Sequence, residues 1–191
     1  MMLRRFVTGS AAALLFTPAL VAQAPTTTLT QATKAQFDEV KAYLAKTAQK
    51  VPEDLYAFRP TPAVRSLGQI IGHVADANFS ICATAAGEKP PQSGFENGKT
   101  SKADLMKGLN DSIAYCDTVF ATMNDMKGIE TVKFFNGNQT PRLAVLAFNN
   151  SHCNEHYGNL VTYMRLKGII PPSSEGAGRA GIAKVMRGWL S

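Results

Sequence analysis

Apolar residues recur at helical spacing in four stretches of the chain. Phe37, Val40, Leu44, Ala48 and Val51 line one face and stop at Pro52, which predicts a first amphipathic helix. The segment from Pro52 to Arg65 contains Pro60 and Pro62, so regular helix is excluded there, and its Leu55, Tyr56 and Phe58 predict a plug over the core. Ser66 and Gln69 make a capping box ahead of Leu67, Ile70, Ile71, Val74, Ala77 and Ile81, a second helix ending at Gly87. A loop with Pro90, Pro91, Gly94 and Gly98 follows. Ser101 and Asp104 then open a third helix carrying Leu105, Leu109, Ile113, Cys116, Phe120 and Met123, which is expected to run to Gly128. Val132, Phe134 and Phe135 before Asn136-Gly137 predict a small hairpin. Thr140 as cap and Pro141 as first helical residue start a fourth helix that reaches Gly168, ahead of Pro171 and Pro172. Four long helices of this kind predict an all-α fold, a four-helix bundle whose functional side chains project inward from facing helices.

The two ends carry other patterns. Arg4 and Arg5, an apolar run from Ala11 to Ala22 and the small-residue pattern Ala22-Gln23-Ala24 read as a signal peptide over residues 1–24, with the mature protein periplasmic or secreted. A retained membrane anchor is the competing reading, and Pro18 and the alanines weigh against it. A linker over residues 25–30 leads into the helical domain, residues 31–174, and a C-terminal tail covers residues 175–191. The Gly- and Ser-rich stretch from Ser173 to Gly181 is expected to be mobile, and Ile182, Val185, Met186 and Trp189 predict a short closing helix.

Composition adds constraints. A chain of 191 residues, 45% hydrophobic and 18% charged, suits one globular domain with a full core. The formal net charge of +6 becomes +4 without Arg4 and Arg5, and no basic run interleaved with aromatics exists. Nucleic acid is therefore not an expected partner. Three cysteines, Cys82, Cys116 and Cys153, cannot all pair. A Cys82–Cys116 bridge requires their helices to be neighbours, and buried free thiols are an equal expectation.

The candidate chemistry is in the histidines. His152 and His156 stand four apart, about 40° apart around one helix, and so can aim at one point. His73, midway along the second helix, is the third and last histidine of the chain. Three imidazoles suit one divalent metal ion, zinc, nickel or iron, with a position left open for water or substrate. Asn149, His152, His156, Asn159 and Tyr163 form one polar stripe on the fourth helix, which predicts a polar interior patch or a pocket mouth. Asp76 and Glu155, each three residues after a histidine, are the candidate catalytic carboxylates, as base or as imidazole partner. The run His152-Cys153-Asn154-Glu155-His156 also has the H-x-x-E-H spacing of inverted zinc peptidases. Those enzymes need a further acidic ligand downstream in a larger mixed fold, and here only Glu175 follows, so that reading is rejected.

The run from Arg59 to Asn78, RPTPAVRSLGQIIGHVADAN, together with His152-x-x-x-His156 and Leu166-Lys167-Gly168-Ile169-Ile170-Pro171-Pro172, resembles the DinB-like superfamily over about Thr30 to Ser174. The resemblance implies a four-helix bundle, commonly a homodimer, with a metal-binding histidine triad that maps onto His73, His152 and His156. It also implies relatives among thiol-dependent S-transferases and isomerases. The function expected is an exported metal-dependent enzyme, thiol S-transferase-like or a hydrolase, acting on a small-molecule substrate, a thiol being one candidate. The rival is a non-catalytic metal-binding or stress-related protein whose ion ties two helices together. An open coordination position separates the two, because structural zinc is normally closed by four protein ligands.

Overall fold

The computed structural model of the chain describes residues 27–135 and 137–175. The leader and the closing helix expected near Trp189 lie outside the described residues. Helix α1 (Leu29–Lys50) takes in the last two residues of the stretch read as linker, because Thr28 accepts from the Gln31 N–H while the Gln31 side chain accepts from the Thr28 N–H. A 3-10 turn (Glu53–Leu55) then carries the chain across the end of the bundle. There Tyr56 is buried, and its hydroxyl donates to the Ala48 carbonyl at 2.6 Å. Leu55 and Phe58 pack beside it as the expected plug.

Helix α2 (Leu67–Ala86) has the expected limits, a Ser66/Gln69 capping box at one end and left-handed Gly87 at the other. The loop after it contains an unexpected helical turn, α3 (Phe95–Gly98). Helix α4 (Lys102–Ala121) starts at the Ser101 cap but stops seven residues short of Gly128. Asn124 caps a separate turn, α5 (Asp125–Gly128), its side chain accepting from the Lys127 N–H. Strands β1 (Thr131–Phe134) and β2 (Asn138–Pro141) form the hairpin, antiparallel, with Phe134 opposite Asn138. Thr140 lies within β2 rather than capping the next helix, and Pro141 takes the cap position of α6 (Arg142–Leu166). At the far end Ser173, expected in a mobile tail, sits in a 3-10 turn (Pro172–Ser174), and its N–H donates to the Tyr157 hydroxyl at 2.9 Å.

The described residues are thus all-α in character, with one two-stranded sheet. Helix α2 is central, packed on α4 and α6, and α1 closes the bundle against α6 and α4. The core between them holds Phe37, Leu44, Ile71, Phe79, Leu105, Leu146 and Leu160. Because α2 and α4 are neighbours, Cys82 and Cys116 meet in a disulfide with their Cα atoms 5.4 Å apart, and Cys153 stays free and buried. Among the described residues no helix is long and apolar enough to cross a membrane.

Candidate metal centre

Helices α2 and α6 run antiparallel: the Tyr163 hydroxyl near the end of α6 donates to the carbonyl of Arg65, just before α2, and Arg142 at the start of α6 reaches the Ala85 carbonyl. That pairing sets His73 opposite the His152/His156 pair. His152 Nε2 lies 3.1 Å from His73 Nε2 and 3.2 Å from His156 Nε2, and all three ligand atoms fall within 4.8 Å of one another. The edge of a tetrahedron of nitrogens bound to zinc at about 2.0–2.1 Å is roughly 3.3 Å, close to those separations.

The outer ring nitrogens set the tautomers. His73 Nδ1–H donates to Glu96 Oε2 at 2.7 Å, and His156 Nδ1 faces Asn159 Oδ1 at 3.4 Å. The Glu96 carboxylate holds the His73 proton on Nδ1 and so turns an unprotonated Nε2 inward, and the Asn159 contact allows the same tautomer in His156. Convergent lone pairs at this spacing repel unless a cation or a proton lies among them, so the donor set fits a divalent cation. His152 completes the set from a partly buried position, and its Nδ1 is buried without a partner. Burial, then the neighbouring His156 and His73, push the His152 pKa down to about 4, and burial with His73 lowers His156. Both rings are neutral at pH 7, as metal ligands must be.

Glu96, which sequence reasoning missed, is built into the site by the α3 turn. Asp76 caps that turn, Oδ1 accepting from the Phe95 N–H and Oδ2 from the Glu96 N–H, each at 3.0 Å. The turn can lie this closely on α2 and α4 because Gly72 and Gly108 leave room: a Cβ on Gly72 of α2 would stand 2.7 Å from the Phe95 carbonyl, and one on Gly108 of α4 would stand 2.3 Å from its ring. Glu96 Oε1 also accepts from Arg65 Nε at 2.7 Å. Burial raises the Glu96 pKa, but the hydrogen bonds from Arg65 and His73 outweigh it and hold the group below the ordinary carboxylate range.

The other predicted site residues fall elsewhere. Asp76 spends both oxygens on α3 and none on a histidine, so it supports Glu96 rather than standing in the cluster. Glu155 is exposed on the outer face of α6. Glu175 pairs with Lys50 on α1, which agrees with rejecting the peptidase spacing. Of the polar stripe, Asn149 turns into the core behind the histidines, where its Nδ2 donates to Asn78 Oδ1 at 3.0 Å, and Asn159 and Tyr163 border a cleft. Burial pushes the Cys153 thiol up to about 12, so it is no nucleophile at neutral pH.

A family model described as the DinB superfamily matches residues 36–160. The chain belongs to the DinB superfamily. Solved structures agree on the fold: a DinB-like protein from Bacillus cereus superposes with a TM-score of 0.64 at 18% identity, covering 73% of this chain and 93% of that one. A conserved protein from Enterococcus faecalis gives 0.61 at 14% identity, with 74% and 98% covered. A mycothiol-dependent maleylpyruvate isomerase gives 0.57 at 14% identity, with 71% of this DinB chain and 63% of the isomerase covered. A comparison with curated protein sequences finds no match.

Proposed function

We propose that this DinB protein is a metal-dependent enzyme of the thiol-transferase or hydrolase type, with one divalent ion held by His73, His152 and His156. The observation that carries the reading is the convergence of three Nε2 atoms, that of His73 held in the ligating tautomer by the Glu96 carboxylate. A bound dication with only three protein ligands supplies a Lewis-acid position able to acidify water or take up a thiolate. The chain's own residues orient that position. Glu96 keeps the His73 proton on Nδ1 and Arg65 keeps Glu96 ionised, while the cleft bordered by Arg65, Asn159 and Tyr163 gives a small molecule access. Likeness in fold to an isomerase that depends on mycothiol supports a thiol among the reactants.

Export is part of the proposal. It rests on the Arg-Arg, apolar, small-residue order of residues 1–24 and on the Cys82–Cys116 disulfide, a bond that persists in oxidising compartments. The test is metal content and coordination. Purified protein should hold about one divalent ion per chain, and His73→Ala or His152→Ala should lose it. Cobalt-substituted protein should change its visible spectrum when a small thiol is added. Full metal retention in both variants would remove the site, and a spectrum indifferent to thiol would remove the enzyme.

A further inference from the structure

Beside the histidines, toward the C-terminal end of α6, the molecule opens a cavity of about 560 Å³, within the size range of small-molecule sites. Its lining includes Val64, Arg65, Glu96, Asn159, Thr162 and Tyr163. Glu96 and Asn159 are also the residues that hold His73 and His156, so the cavity starts where the histidine cluster ends. Arg65 is the one basic residue in that lining. It is fixed twice, its carbonyl accepting from the Tyr163 hydroxyl at 3.0 Å and its Nε donating to Glu96 at 2.7 Å. Among the described residues its two Nη atoms have no hydrogen-bond partner, and neither has Asn159 Nδ2.

A guanidinium held by its Nε edge and unused along its Nη edge is a planar fork of donors, and its match is a carboxylate. We propose that the substrate is a small molecule bearing a carboxylate, which Arg65 binds with help from Asn159, so that the rest of the molecule lies toward the histidines. Opposite charge alone would not select this site, because Glu96 already balances Arg65. What Glu96 does is aim the fork, leaving its free edge on the cavity. The direction of the reacting end rests on the metal-centre reading, whereas the anion site rests on Arg65 and Asn159 independently of any ion.

The two parts separate in one experiment. Cobalt-loaded protein is titrated with mercaptoacetate and with its neutral counterpart mercaptoacetamide, following the visible spectrum and the heat of binding, in wild type, Arg65→Gln and Arg65→Lys. Arg65→Gln should weaken mercaptoacetate about tenfold more than mercaptoacetamide, whose own change reports any loosening of Glu96 and His73; that ratio is the scale of one charge-assisted hydrogen bond. Arg65→Lys, which keeps the charge and loses the fork, should fall between. Equal weakening of both thiols, or no weakening of either, overturns the carboxylate site while the colour change preserves the metal centre. Heat that depends on Arg65 without any colour change keeps the anion site and overturns the open metal position. Absence of both signals overturns both. Should Arg65→Gln fail to fold, Arg65→Lys and the wild-type comparison decide: a wild type that binds the two thiols alike, with Arg65→Lys unchanged, also overturns the proposal.

Discussion

Replacing Glu96 by glutamine keeps the shape of the side chain and removes the charge toward which His73 Nδ1–H points. A neutral amide holds the imidazole tautomer less firmly, so Glu96→Gln should weaken divalent-metal binding roughly 10–100-fold with helix content unchanged. Competition against a coloured chelator measures this, and undiminished affinity would mean that packing alone orients His73. At the same scale, burial and then the charges of His156 and His73 hold His152 at about 4, whereas an unfolded histidine titrates near 6.5. Between those values the unfolded chain binds more protons than the folded one, so stability rises with pH through this window. Metal-free protein should therefore lose urea resistance as pH falls from about 6.5 to about 4. The loss should shrink in His152→Ala. A urea midpoint that stays level over that interval contradicts the buried, neutral His152.

Among the elements, α3 is the one on which the site depends most and which shows least in the sequence. Gly72→Ala places a methyl group 2.7 Å from the Phe95 carbonyl, a backbone atom that moves only if the whole turn moves. The variant should cost about 1–3 kcal/mol in thermal or urea unfolding, and it should also weaken metal binding because Glu96 shifts with α3. Gly158→Ala, on the exposed side of α6 with nothing within 4 Å of its Cβ, should instead stabilise by about 0.5–1 kcal/mol. An equal response from the two glycines would mean that α3 is not held against α2. The limits of α2 were legible because the Ser66/Gln69 box and Gly87 are local signals that act within a few residues. The three histidines were legible for a similar reason, since helical periodicity orders residues along a face. Glu96 was not. Four residues of helix carry no periodicity, and its role arises only when Asp76, Gly72 and Gly108 bring a distant loop onto α2. The end of α4 differs from the periodicity for another reason. Leu105 to Met123 keep helical spacing beyond the break after Ala121, and the Asn124 cap that starts a new turn is a single local signal that the apolar spacing overrides.

For the molecule as a whole, the Cys82–Cys116 bond joins α2 to α4 across 34 residues. In the chain-entropy picture a loop of that size contributes about 3–4 kcal/mol. Reduced protein, or the double variant Cys82→Ser with Cys116→Ser, should unfold at correspondingly lower urea, and an unchanged midpoint would place the bond outside the cooperative unit. The same bond has a topological consequence. His73 and His152 are 79 residues apart, and the disulfide loop lies wholly inside that span, so an ion held by both would close an outer ring around an inner one. Once the inner ring exists, the path around the outer ring shortens to about 45 residues, and its closure entropy falls by roughly 0.5 kcal/mol. Oxidation and metal uptake are then coupled rather than independent: a chain that has formed its inner ring gathers its histidines about twice as readily as a reduced chain, so loading favours the oxidised form.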